Sequence, residues 1–221
     1  MYQIKAAIFD ADGTLLNSMH IWEELGERYL KSLNIEPEKN LSQKLYFMTL
    51  EQSSEYLNKK YELKNSPSEI KNAILKIIEN FYVYEVELKP GVKKFLENLP
   101  IPKVIATSGD KNLLKTALKR NEIDKYFDEI FTCSDLNTTK HEAKIFMRCS
   151  EFLKIAPKNT AVFEDALFSI RTAGKAGFIT VGIEDASNIF QREELIRASD
   201  FYISDFDRKD NNENIINYCG Q

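Results

Sequence analysis

From about residue 88 onward the chain alternates between helical patterns and short apolar runs, and no other feature limits the possible folds as strongly. The runs are "KVIATS" at 103–108, "DEIFTC" at 128–133, "TAVFED" at 160–165 and "FITVGI" at 178–183, each parted from the next by apolar residues at helical spacing. Short strands joined through helices need crossover connections, and crossovers produce a parallel sheet with helices on both faces. Another apolar run, ending in Asp10, lies ahead of a long stretch that holds helical patterns and no strand pattern. The economical arrangement is an α/β core of a Rossmann-like kind, residues 1–16 and 88–221, with an all-helical insert at 17–87 just after the first strand. A chain of 221 residues with 43% hydrophobic content can bury a core of that size and carry the insert.

Within the insert, Trp22, Leu25, Tyr29, Leu30 and Leu33 recur at helical spacing, and "NIEP" closes the segment. A second, less regular helical stretch covers about 41–61. A third opens at Ser66-Pro67-Ser68-Glu69, where an N-cap serine, a proline in the first turn and a capping-box glutamate precede Ile70, Ile74, Ile77 and Phe81. Trp22 and the other aromatics of the insert read as core rather than as a platform for substrate.

Composition removes several classes of function. Formal charge is −4, with acidic and basic residues interspersed, so there is no basic stripe for a nucleic-acid backbone. No apolar run approaches the ~20 residues that span a bilayer, and the start of the chain lacks a signal-like pattern. Cys133, Cys149 and Cys219 are odd in number, far apart and without CxxC spacing. A cytoplasmic monomer without nucleic-acid or membrane partners is the expectation.

Ligands of open parallel sheets bind beyond the carboxyl ends of the strands, so the residues that end each run are read together. The first run ends in Asp10 and Asp12, which an extended segment would point the same way. Thr107-Ser108-Gly109-Asp110 ends the second, Glu164-Asp165 the fourth, and Lys140 lies in a loop before a helix. Two adjacent anions repel and call for a cation or a proton. Acidic oxygens gathered without histidine or cysteine suit a hard cation such as Mg²⁺. A hydroxyl-bearing loop that runs into the N-terminus of the "KNLLKTALKR" helix suits a phosphate.

These segments resemble, in order and spacing, the four motifs of the haloacid dehalogenase (HAD) superfamily: "DADGT" at 10–14, "ATSG" at 106–109, Lys140 in "TKHEAKIF", and "VFEDALFSIRTAGKAG" at 162–177. The helical block after the first motif resembles the C1 cap of the phosphoglycolate phosphatase and β-phosphoglucomutase branch. The resemblance implies Asp10 as a nucleophile that becomes an aspartyl-phosphate, and Asp12 as general acid and then base. It implies Mg²⁺ on Asp10, the backbone carbonyl of Asp12 and Asp165, with Glu164 a direct or water-mediated ligand. Thr107, Ser108, Gly109 and Lys140 would hold the phosphoryl group. Asn17 and the "KHEA" segment depart from the aspartate and the lysine-proline pair more usual in this branch.

Plainer readings exist for each residue. Asp12-Gly13 alone is a turn signal, Thr107 and Ser108 could serve only as helix caps, and Glu164-Asp165 could be an acidic pair favoured by a helix dipole. Lys144, one helical turn past Lys140, competes with it. His20 and His141 match no residue the chemistry needs and read as surface or hinge positions, while Cys133 and Cys149 read as packed. Among functions, a Mg²⁺-dependent phosphatase of a small phosphorylated metabolite is set against a β-phosphoglucomutase-like mutase and a non-catalytic phosphate-binding module. The mutase would need a cap histidine where Trp22 stands and an arginine in "LYFMTLEQSSEYL", which has none. Tyr46, Phe47, Met48 and Thr49 are the candidate specificity residues.

Overall fold

The computed structural model describes residues 3–45, 48–207, 215, 216 and 218. Its sheet has six strands: β1 (Ala6–Phe9), β2 (Lys103–Thr107), β3 (Glu129–Thr132), β4 (Thr160–Glu164), β5 (Ile179–Ile183) and β6 (Phe201–Ile203). Every pairing is parallel, in the order β3-β2-β1-β4-β5-β6. The chain thus winds one way from β1 through β2 to β3 and then the other way from β4 to β6. The reversal point lies between β1 and β4, where such sheets open a crevice for ligands.

β1, β2, β4 and β5 are buried along their whole length, which is why they read as continuous apolar runs. β6 was not among the strands expected from the sequence. It is an edge strand of three residues, two of them partly exposed, and leaves too short and too mixed a pattern.

The chain divides into two compact units, Met1–Ser18 with Glu87–Gln221, and Met19–Val86. The second unit contains α1 (His20–Ser32), α2 (Leu41–Leu45), α3 (Leu50–Lys60) and α4 (Pro67–Asn80), the last running into a wider turn over Phe81–Glu85. α4 starts as its sequence predicts: the Ser66 hydroxyl accepts from Glu69 N while the Glu69 carboxylate accepts from Ser66 N, with Pro67 in the first turn. The less regular helical stretch expected over about 41–61 contains α2 and α3. Thr49 caps the second of them with a capping box to Gln52. In α1 the buried stripe is Ile21, Leu25, Tyr29 and Leu30. Trp22 follows Ile21, about 100° further round the helix, and is 48% exposed, so the expectation that it packs in the core is corrected.

The sheet unit carries α5 (Val92–Glu97), α6 (Lys111–Arg120), α7 (Lys144–Leu153), α8 (Leu167–Lys175) and α9 (Arg192–Ala198). Successive strand residues face opposite sides, so Ile8 and Phe9 belong to different layers. Phe9 stacks on Phe163 with ring centres 4.2 Å apart and meets Phe95 and Phe127 edge-on. On the other face Ile8, Val104 and Val162 pack with Ile145, Phe146, Cys149 and Phe178. Two segments of this unit pair antiparallel at its margin: Lys89 N donates to Leu15 O and Asn17 N to Glu87 O, with Leu16 opposite Leu88. Asn17 and Glu87, at the ends of the expected insert, are therefore bound to each other within the sheet unit. No helix among the described residues is long and apolar enough to cross a membrane.

Candidate active site

Asp10 follows β1, and its backbone N donates to Phe163 O at the end of β4, at 2.9 Å. That register sets the end of β1 beside Glu164 and Asp165. Asp10, Glu164 and Asp165 are all buried, and each offers a carboxylate oxygen within 4.8 Å of the others. Lys140, 5% exposed, donates from Nζ to Asp10 Oδ1 and, at 2.6 Å, to Glu164 Oε1. Lys144, its competitor in the sequence, is exposed and donates to the Leu136 carbonyl at 2.7 Å.

Each carboxylate has further partners. Glu164 accepts from Ser169 Oγ at 2.7 Å and from Ala166 N at 3.0 Å. Asp165 accepts from Asn188 Nδ2 at 2.8 Å and lies 3.5 Å from the Thr14 hydroxyl. The turn that presents Thr14 passes through Gly13 at φ +81°, a conformation a Cβ would strain. The Asp12 carboxyl is not among the three clustered groups; its Oδ1 accepts from the buried Ser18 hydroxyl at 2.7 Å.

The loop after β2 closes another side. A Cβ placed on Gly109 would sit 3.1 Å from Asp12 Oδ2, so the glycine allows this loop to approach the aspartate. The buried Thr107 hydroxyl accepts from Gly109 N at 2.9 Å. Ser108 is exposed, its Oγ 3.5 Å from Cys133 Sγ. The cap of α6 is Asp110, which accepts from Asn112 N and Leu113 N, so neither Thr107 nor Ser108 fills that role.

Electrostatics follow from burial. Removal from water raises the Asp10 carboxyl to about 7, with Lys140 opposing and Glu164 and Asp12 reinforcing the rise. Burial also drives Asp165 well above the usual carboxylate range, helped by Glu164, Asp10 and Asp185. Burial works against the charge on Lys140, but Asp10 and Glu164 outweigh it and its pKa is raised. Three buried carboxylates around one ammonium leave an excess of negative charge that a low-dielectric site penalises.

Of the remaining candidates, Tyr46 and Phe47 lie outside the described residues, and the Thr49 hydroxyl is used in capping α3, accepting from Gln52 N at 3.2 Å. His20 and His141 are exposed, His20 edge-on to Phe81 and His141 stacked on Phe168. Cys133 and Cys149 are buried thiols. Sequence reasoning passed over Ser18, Ser169 and Asn188. Only Asn188 carried a usable signal: "EDASN" follows β5, so the strand-end rule applies to it, and Asp-x-Ser is a turn-forming pattern.

The haloacid dehalogenase-like hydrolase family matches residues 7–183, a span that contains Asp10, Asp12, the loop after β2, Lys140 and the Glu164-Asp165 pair. The chain belongs to that family. Relatives of this hydrolase include a phosphorylated carbohydrates phosphatase from Thermotoga maritima, 24% identical over 79% of this chain and 82% of its own. Fructose-1-phosphate phosphatase YqaB from Escherichia coli is 23% identical over 83% of this chain and 98% of its own. A crystal structure assigned provisionally as a beta-phosphoglucomutase from Thermotoga maritima shares the fold, with a TM-score of 0.80 at 22% identity over 97% of each chain.

Proposed function

We propose that this HAD-like hydrolase is a Mg²⁺-dependent phosphatase that removes the phosphoryl group of a small phosphorylated metabolite through an aspartyl-phosphate on Asp10. The observation that carries the reading is the buried Asp10–Glu164–Asp165 cluster bridged by Lys140 at the reversal point of the sheet. The phosphatases among the relatives support it. An oxygen-only donor set with surplus negative charge fits a hard divalent cation, which Asp10, Asp165, the Asp12 carbonyl and Glu164 would hold. When bound, Mg²⁺ would offset charge on the carboxylates and the phosphoryl oxygens.

The chain's own residues divide the remaining work. An Asp10 oxygen attacks phosphorus and the bond to the leaving oxygen breaks, so a difficult hydrolysis becomes two displacements. Asp12 gives the leaving oxygen a proton and then takes one from the water that cleaves the aspartyl-phosphate, which frees phosphate and restores Asp10. The Ser18 hydroxyl, which donates to Oδ1 of Asp12 at 2.7 Å, would help to orient that carboxyl. Lys140 and the 107–109 loop would hold the phosphoryl oxygens. The helical unit would act as the cap that selects substrate, with Met48 the described candidate whose side chain is not engaged in capping a helix. The absence of arginine from 45–57 and Trp22 at the histidine position favour transfer to water over transfer to a second sugar hydroxyl.

Purified protein should release phosphate from an aryl phosphate in Mg²⁺ and lose that activity in EDTA. Full activity with divalent cations chelated would overturn the cation assignment.

A further inference from the structure

Asp165 is held by a side chain from the loop of the neighbouring strand. Asn188 Nδ2 donates to Asp165 Oδ2 at 2.8 Å, while the Thr14 hydroxyl is 3.5 Å from Oδ1, too long for a strong hydrogen bond. The carboxylate torsion is soft, so the Asn188 bond is what sets its rotation. Asn188 is itself fixed. It sits at φ −110°, ψ 15°, outside helical values, within the turn Ala186–Gln191. Asp185 organises that turn: its carbonyl accepts from Asn188 N at 3.1 Å, and its Oδ1 accepts from Ser187 N at 2.9 Å and Ser187 Oγ at 2.6 Å. The other Asp185 oxygen pairs with Lys89 Nζ at 2.8 Å, and Lys89 also donates to the Glu184 carbonyl at 2.6 Å. Lys89 belongs to the segment paired with Leu15.

We infer that Asn188 is a positioning residue for Asp165, fixed in turn by Asp185 and Lys89. The divalent-cation affinity of the Asp10–Glu164–Asp165 cluster then depends on a hydrogen-bond chain that reaches the paired segment at Lys89. The inference rests on the reading of that cluster as a cation site. Groups that orient a ligand without touching the metal are worth about 10–100-fold in affinity when removed, and Asn188 occupies that position toward Asp165.

The experiment is a titration of metal-free protein with Mg²⁺ or Mn²⁺ alone, followed by calorimetry, on wild type, Asn188→Ala, Asp185→Asn and Asp165→Ala. Melting temperatures in EDTA accompany it. Asn188→Ala should weaken binding by about 10-fold or more, with an EDTA melting temperature close to wild type. Asp185→Asn should weaken binding in the same direction by less, since Lys89 and Ser187 then meet a neutral partner. Phosphatase activity of Asn188→Ala should recover as Mg²⁺ is raised, because the defect is in affinity. If Asp165→Ala abolishes binding while Asn188→Ala binds like wild type, the positioning role is wrong and the site reading survives. If Asn188→Ala loses affinity only in step with a lowered EDTA melting temperature, its role is structural and the inference fails. If wild type binds neither cation, the site reading and the inference fall together.

Discussion

Among the described residues, a buried lysine–carboxylate site at Lys140 and a half-buried one at Lys89 lie at the strand ends of the sheet unit, and they are built on opposite principles. At Lys140, one ammonium serves Asp10 and Glu164 while Asp165 crowds the same space. At Lys89, one ammonium meets one carboxylate, Asp185, whose remaining oxygen is satisfied by Ser187. Burial raises the carboxyl in both places, but the balance differs: Asp10 ends raised to about 7, whereas Lys89 and Ser187 hold Asp185 below its ordinary value. Balanced pairs hold structure together. A cluster with surplus charge is costly by itself, and perturbed groups of that kind gather at functional sites.

Changing the nucleophile should break the comparison most sharply. Asp10→Asn should reduce phosphate release on the order of 10⁴-fold or more, the scale seen when a covalent nucleophile is lost, and no labelled phosphoenzyme should form. Detection of label on that variant would remove Asp10 from the role.

A smaller and more selective loss is expected at Asp12. Asp12→Asn keeps the attacking oxygen, so its defect should follow the leaving group: about 10²–10⁴-fold for an alkyl phosphate, whose alkoxide needs a proton, and less in the first step for an activated aryl phosphate. Equal losses for both substrates would show that the acid lies elsewhere.

The smallest effect concerns stability. In metal-free protein the folded chain keeps a proton on Asp10 up to about 7 against 3.8 for an unperturbed aspartate, so it binds more protons than the unfolded chain between those values. Stability should therefore fall as pH rises through that window. Asp185 has the opposite sign: its lowered pKa stabilises the fold above its unfolded value, and that contribution is lost as pH falls through the folded one. Lys89→Met should cost about 1–3 kcal/mol at neutral pH, the range for leaving a largely buried polar group without its partner, and should shrink the acid-side loss while leaving the Asp10 slope in place. Melting curves in EDTA across pH check both signs; two slopes of the same sign would erase the distinction between the sites.

The difference also explains what the sequence disclosed. Asp10, Glu164 and Asp165 lie at the ends of strands legible as apolar runs, so one rule about parallel sheets gathers them before any coordinates are known. Lys140 needed the family spacing, because a lysine in a loop looks like any solvated lysine and Lys144 looks the same. Lys89 and Asp185 stayed hidden, and Asn188 was open only to the strand-end rule. Their residue types are ordinary at a surface, and their partners come from segments far apart in the chain. The sixth strand was missed for lack of length, and Trp22 was misplaced because helical spacing alone does not say which of two adjacent residues turns inward.

The paired segments at 15–17 and 87–89 bear on how such a protein can change over time. Because Asn17 and Glu87 are hydrogen-bonded to each other, the helical unit leaves and re-enters the sheet unit at a single point, the geometry of a domain inserted in a hairpin turn. A loop whose ends are already joined in this way can be lengthened at little entropic cost, since closure depends only weakly on the length enclosed. The helical unit can therefore change in length at little cost to the closure of the sheet unit, and the strand-end carboxylates all lie outside it.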